Sequence, residues 1–287
     1  MIKMSTFKDL FDAYYRRHAM TKLKCPQNVY YWGVVYGEEW NTWAIETITK
    51  DDVQEWVDNI GIDSPASATR ACNQMAAMFN WARKRGYINI NNPCQGVELF
   101  DIKARDRFLL PGEKERFLKA LGREREQVQA IFYILLYTGA RKSNVLSMRW
   151  DEIDPELAVW RIPEQKFKNG DPHLIPLIPE AMAQLEKLRK VNHGPWVFPG
   201  RDPRTHVKDI RKAWERIIKR ANLNGVRIHD LRRTVGSYMA MNGASDAIIG
   251  KTLGHKDRRS TQVYARLNLD PVRSHLEQAA LGYKQAL

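Results

Sequence analysis

The sequence predicts a mainly α-helical protein of two domains with one small β-hairpin in the second. Three observations predict it. Apolar residues recur at helical spacing along most of the chain, the stretch 96–107 between two such blocks is charged and aperiodic, and Lys168-Asn169-Gly170 lies between two short apolar runs. At 287 residues there is enough chain for two cores, and 44% hydrophobic residues with nine Trp mark a folded protein rather than a disordered one. The reading is a helical N-terminal domain over 1–95, a linker over 96–107 and a second domain over 108–287.

The elements follow in order. Phe7, Leu10, Phe11 and Tyr14 form the apolar stripe of a helix starting at Thr6 and running to about His18. Thr49-Lys50-Asp51-Asp52 is a helix start with acids at the positive end of the dipole, and Val53, Trp56 and Val57 follow it. Ser64-Pro65 places a cap and a first-turn proline ahead of a helix whose buried side is Ala71, Met75, Met78, Phe79 and Ala82. It ends near Arg85-Gly86, whereas the aromatic segment 30–43 fits either a loop or a helix hairpin. Asn91-Asn92-Pro93 breaks the pattern before the linker. Helices are then expected over 113–121, 128–137 and 142–148. Strands at 160–162 and 174–177 form a hairpin, and helices resume over 179–190, 207–221, 229–241, 245–253 and 271–283.

The net charge of +13 lies almost wholly in one half. Residues 1–105 carry 13 Lys+Arg against 12 Asp+Glu, and residues 106–287 carry 33 against 21. A basic second domain favours a polyanion such as nucleic acid. Arg70, Arg83, Lys84 and Arg85 lie outside the apolar stripe of their helix and are candidate phosphate contacts in the first domain. Cys25, Cys72 and Cys94 are odd in number and lack metal-ligand spacing, so free thiols in a reducing compartment are expected. The longest apolar run, 130–137, is too short to span a bilayer, and the first residues have no signal-peptide character, so a cytoplasmic protein without a membrane partner is expected.

Chemistry concentrates in four short motifs of the second domain. Thr138-Gly139-Ala140-Arg141 puts an arginine where one helix is expected to begin, after a glycine that permits close approach. His229 and Arg232, three residues apart in His229-Asp230-Leu231-Arg232, share one helix face. Leu253-Gly254-His255 follows, and nine residues past that histidine stands Tyr264. A tyrosine hydroxyl can form an ester with phosphorus if cations neutralise the charge that develops on the phosphoryl oxygens, and the fork of arginine suits that role. Each motif alone is ordinary: surface arginines, turn histidines and packing tyrosines are common. Order and spacing together select them.

In that order and spacing the sequence resembles the tyrosine recombinase (phage integrase) family, over the C-terminal two-thirds of the chain. The resemblance implies a two-domain DNA clamp, with a helical core-DNA-binding domain ahead of an α+β catalytic domain. It implies that Arg141 and Arg232 contact the scissile phosphate, that His229 takes or relays the tyrosine proton, that His255 contacts the phosphate and that Tyr264 is the nucleophile. Lys168, eight residues before Pro176 as in the family's strand lysine, becomes the proton donor to the leaving 5′ oxygen. Lys166 is its rival, on the same face if the strand is regular. The family often has an acidic residue three positions after the first arginine; here Asn144 stands there, without the charge to support a histidine. Arg233 would point about 100° away from Arg232 on a helix and is assigned to the surface or the DNA backbone.

These expectations define a site-specific recombinase acting on double-stranded DNA through a 3′-phosphotyrosyl link, with no cofactor, metal or ATP. The cationic and polar groups around the phosphate take the place of Mg²⁺. The alternatives are a type IB topoisomerase-like nicking and resealing enzyme and a helix-turn-helix regulator without catalysis; 245–253, Gly254 and 261–267 pass a loose test for the latter. Family resemblance further implies a monomer when free, a homo-tetramer on synapsed sites, and possible accessory DNA-bending proteins. Leu276, Ala280, Tyr283 and Leu287 give a terminal helix one apolar stripe, which either folds back on its own domain or, as the resemblance implies, reaches into a neighbouring protomer. No extra module for accessory DNA fits ahead of the first helix, which leaves action at simple sites or a longer parent chain as alternatives.

Overall fold

The computed structural model describes residues 4–102, 105–166, 172–255, 261, 263, 264, 276, 277 and 280. The chain divides into two compact units, Met1–Ala104 and Arg105–Leu287. Lys168 and most of the expected terminal helix lie outside the described residues.

The first unit is helical. Helix α1 (Phe7–Tyr14) opens with Thr6 accepting the Asp9 N–H while the Asp9 carboxylate accepts the Thr6 N–H. One π-helical turn (Tyr15–Ala19) leads into α2 (Met20–Lys22). The aromatic segment that patterning left open is a helix, α3 (Pro26–Tyr36), followed by a 3₁₀ turn (Glu38–Trp40). Helix α4 (Lys50–Asp63) carries the Thr49–Asp52 capping box, and Ser64 caps α5 (Pro65–Lys84). The core is built on Phe7, Phe79, Met75 and Met78, with Trp32, Trp40 and Trp56 packed ring against ring. Much of the expected linker belongs to this core, since Val97 and Phe100 pack on it and the Phe100 ring fills the space above Gly61.

In the second unit the helices are α6 (Pro111–Leu121), α7 (Glu126–Thr138), α8 (Lys142–Leu146), α9 (Pro179–Arg189), α10 (Arg211–Ala221), α11 (Ile228–Met241) and α12 (Asp246–Leu253). The helix expected from residue 207 begins only at Arg211, because the chain before it pairs back, Val207 N to Phe198 O. A three-stranded antiparallel sheet sits between α8 and α9: β1 (Ile153–Asp154), β2 (Val159–Ile162) and β3 (His173–Pro176). Ile162 pairs with His173, so residues 163–172 connect β2 to β3, and the expected turn at Asn169-Gly170 lies outside the described residues. That connection starts with a 3₁₀ turn (Glu164–Lys166). Lys166 thus lies in a 3₁₀ turn and not in a strand. A core of Phe117, Phe132, Trp160, Phe198 and Ile217 lies beneath these elements.

Gly139 decides how two of the helices meet. It closes α7 with φ +61°, and a Cβ there would lie 2.6 Å from Leu253 Cδ2 and 3.2 Å from Val235 Cγ1. Helices α11 and α12 thus come against the α7–α8 turn only because no side chain intervenes. Gly139→Ala is expected to cost about 2 kcal/mol in chemical denaturation, from left-handed strain plus displaced side chains. Gly112→Ala, in a helix with nothing near its Cβ, should not destabilise at all.

Candidate active site

Helix α12 ends in a way that leaves three carbonyls to be used. Gly254 takes φ 63°, ψ 48°, the left-handed conformation. It lets the His255 N–H reach Gly250 O at 2.9 Å and its own N–H reach Lys251 O at 3.2 Å. Side chains from three other elements use the next three carbonyls: His173 at Thr252 O (3.1 Å), Arg232 at Leu253 O and Arg141 at Gly254 O (3.5 Å). The negative end of a helix dipole thereby gathers the cationic groups.

Arg232 is the most enclosed of these, 6% exposed. Its second terminal nitrogen donates to Gly139 O at 2.7 Å, so the fork is held between the turn after α7 and the end of α12. Among the described residues it makes no ion pair, although burial and Arg141 bring its pKa down to about 10, still charged at neutral pH. Arg141 is half-buried at the start of α8, directly after the turn stabilised by Thr138 Oγ1 and Gly139. Asn144, one turn on, is buried.

His229 enters the same cluster from the first turn of α11. Burial, with Arg232, Arg233 and Arg141 nearby, lowers its pKa, while Asp230 opposes the shift. Asp230 is 1% exposed and anchors that turn. Its carboxylate accepts the Arg227 N–H (2.8 Å) and pairs with Arg105 (3.2 Å) and Arg233 (3.0 Å). Arg233, assigned from sequence to the surface or the DNA backbone, is in fact half-buried and committed to Asp230, close enough for its charge to reach His229 and Tyr264.

Tyr264 is 5% exposed, its ring lying on Gly236 of α11, where a Cβ would come within 2.7 Å of Cζ. It stacks on His255 with ring centroids 6.5 Å apart and 7° between planes. His255 Nδ1 meets Thr261 Oγ1 at 3.0 Å. Burial raises the Tyr264 pKa, and Arg232 and Arg233 pull against it. The structure thus brings Arg141, His229, Arg232, His255 and Tyr264 into one cluster.

On the sheet side, the Lys166 ammonium is tied to the buried Glu152 carboxylate and to Ser147 O. Trp160 Nε1 donates to the same carboxylate at 3.1 Å. His173, which sequence reasoning passed over, opens β3 and sits close enough to Arg232 and Arg141 to be affected by both. Only its distance of five residues from Lys168 could have flagged it. In the first unit Arg70, Arg83, Lys84 and Arg85 are exposed on or just after α5, with Arg70 donating to Ser67 Oγ at 3.2 Å. Among the described residues no group of three or more His, Cys, Asp and Glu could hold a metal ion, and no helix is long and apolar enough to cross a membrane.

Three histidines share this electropositive, partly buried setting, and all have lowered pKa values. His255 is pushed down to about 4 by burial and then by Arg232, Arg141 and His229. The unfolded chain takes up that proton near pH 6.5, so between about 6.5 and 4 it binds more protons than the folded one. The contribution to stability is present above 6.5 and lost as the pH falls toward 4. Thermal melting should drop across this window, with less of a drop for His255→Gln, and the His255 ring should titrate by NMR near pH 4. A midpoint near 6.5 would contradict the burial and charge assigned to the site.

Comparison with known proteins places the chain among its relatives. An integrase of Salmonella phage P22 is 27% identical over 188 residues, which is 61% of this chain and 47% of that protein, so the chain spans about half its length. A Tn1549 transposon integrase in complex with a circular intermediate DNA superposes with a TM-score of 0.76 at 17% identity, covering 96% of this chain and 100% of that one. A lambda integrase tetramer bound to a Holliday junction gives 0.71 at 18% identity, over 89% and 79% of the two chains. At those identities the likeness is one of fold. Residues 107–270, more than half the chain, match the phage integrase family, and the chain belongs to that family.

Proposed function

We propose that the protein is a site-specific DNA recombinase that breaks and rejoins strands through Tyr264. The observation that carries this reading is a buried guanidinium, Arg232, held by two carbonyls and, among the described residues, by no carboxylate, beside Arg141, two neutral histidines and an enclosed tyrosine. A buried charge without a counterion is costly unless an anion is meant to complete it. A phosphodiester does so, and the forks of Arg141 and Arg232 match its oxygens.

In the reaction Tyr264 Oη bonds to phosphorus and the P–O5′ bond breaks. The phenol proton passes to His229, kept neutral by burial and its arginine neighbours and therefore able to accept it. The departing 5′ oxygen takes a proton from Lys168. The two guanidiniums and His255 stabilise charge on the non-bridging oxygens. Attack by a 5′-hydroxyl of a partner duplex on the 3′-phosphotyrosyl link reverses these steps. Phosphodiester energy is kept in that link, so ATP is not needed, and charge stabilisation comes from side chains rather than a metal ion. The basic second domain supplies most of the attraction to double-stranded DNA, with Arg70, Arg83, Lys84 and Arg85 adding phosphate contacts. We assign a monomer in free solution and a homo-tetramer on synapsed sites, with DNA-bending proteins as accessory partners.

Nicked suicide substrates from the ends of the encoding element test the chemistry. Wild type should accumulate a covalent adduct, undiminished in EDTA, while Tyr264→Phe binds DNA with similar affinity and yields none. An adduct mapped to another tyrosine would overturn the assignment. Supercoil relaxation without strand exchange would favour the topoisomerase-like alternative.

Assembly has its own test. Deleting residues 271–287 should leave single-site binding within about twofold and abolish tetrameric complexes in gel shift and sedimentation. Normal tetramers from the truncated chain would show that the segment is not needed between subunits.

A further inference from the structure

Asp230 anchors a network that the reaction above does not use. It follows His229 on α11, and its carboxylate is enclosed. Oδ1 accepts from Arg233 at 3.0 Å. Oδ2 accepts the Arg227 N–H at 2.8 Å and the Arg105 guanidinium at 3.2 Å. The same terminal nitrogen of Arg105 donates to Gly225 O at 2.6 Å, in the turn between α10 and α11. Four residues on, the Leu109 N–H donates to Thr234 Oγ1 at 2.9 Å, and that hydroxyl donates to Asp230 O at 2.8 Å. Arg105 and Leu109 thus fasten on α11 at both ends of the stretch that carries Arg232, directly after His229.

The two cations on this carboxylate differ in reach. Besides partial burial, Arg232, Arg233 and Arg141 all make His229 less ready to hold a proton, while Asp230 opposes them. His255 faces the same imidazole from the end of α12. What Asp230 does to His229 therefore depends on how completely its charge is cancelled. Arg233 cancels part of it from α11 itself, and Arg105 adds a second guanidinium from outside that helix. Without Arg105 an enclosed carboxylate would stand under-neutralised one residue from the imidazole, and the protonated form of His229 would gain a partner. A protonated imidazole cannot take the tyrosine proton.

We infer that Arg105 is a positioning residue of the recombinase reaction: acting through Asp230, it cancels the charge of that carboxylate and so keeps His229 ready to accept the proton of Tyr264. The inference rests on the recombinase reading above. Its signature is an effect that varies with pH, since a strap that merely held α11 in place would slow cleavage alike at every pH.

Single-turnover cleavage of nicked suicide substrates by the full chain, followed from about pH 5 to about pH 8.5, separates the two. The rate should rise as His229 loses its proton. Arg105→Gln, which keeps an N–H donor without the charge, should move that rise upward by about one pH unit, so that cleavage is about tenfold slower than wild type at the acid end and within about twofold of it at the alkaline end. Arg105→Lys keeps the charge and should follow wild type. Equal slowing by Arg105→Gln at every pH, or no slowing at any, overturns the inference. The His229 ring, titrated by NMR in the free protein, gives a reading that needs no cleavage: its midpoint should rise in Arg105→Gln and stay put in Arg105→Lys, and an unmoved midpoint in both refutes the inference. Should Arg105→Gln melt far below wild type, Asp230→Asn supplies the background, because it removes the charge to be cancelled and keeps an acceptor for the Arg227 N–H. Adding Arg105→Gln to Asp230→Asn should then change cleavage by less than about twofold at any pH; further slowing shows that Arg105 acts other than through Asp230 and refutes the inference. If wild type forms no adduct, the recombinase reading fails, whereas the His229 titration still decides what Arg105 does to the imidazole.

Discussion

The site depends on how one short helix ends. A helix of eight residues, α12, stops at a glycine that adopts φ 63°. That stop satisfies two of its carbonyls within the backbone and presents the next three to side chains. Arg232, Arg141 and His173 come from α11, the turn after α7, and β3, and nothing in their own elements would bring them together. The carbonyls do so by offering acceptors at the negative end of the dipole. Gly139 completes the arrangement, since its missing side chain lets Leu253 pack against the α7–α8 turn while its carbonyl takes the other arm of Arg232.

Gathering cations in a poorly hydrated place is opposed by their mutual repulsion, and the carboxylates nearby show how the opposition is managed. Asp230 and Glu152 are both buried, yet neither pairs with the arginines at the carbonyl row. Asp230 neutralises Arg105 and Arg233 and caps α11; Glu152 neutralises Lys166. Acidic groups thus support the framework from one layer back. Carbonyl dipoles hold Arg232 in place without cancelling its charge, which leaves a field suited to an anion. The histidines respond by staying neutral, the state in which one of them can accept a proton.

Much of the fold could be read along the chain because helix signals are local. Thr6, Thr49 and Ser64 cap where the pattern placed them, with Asp9 and Asp52 closing two of the boxes. Aromatic crowding in 30–43 hid α3, whose face is set by packing on Trp56 and Ala71 rather than by its own period. Hydrogen bonds between residues far apart in sequence also escaped. Arg105 pairs with Asp230 across 125 residues, and Arg116 and Arg220 reach across to carbonyls of each other's helices.

By itself, the sequence determined which residue types are available and in what order: two arginines, the His229–Arg232 pair on one helix face, Leu-Gly-His, and a tyrosine nine residues on. Those are consequences of spacing along a helix or a turn. Only the tertiary structure decided that Arg233 belongs to Asp230, that Lys166 belongs to Glu152, and that His173 joins the arginines. Each of these depends on which carbonyl or carboxylate lies within about 3 Å of a side chain, a distance set by how separate elements pack and carried by no local pattern.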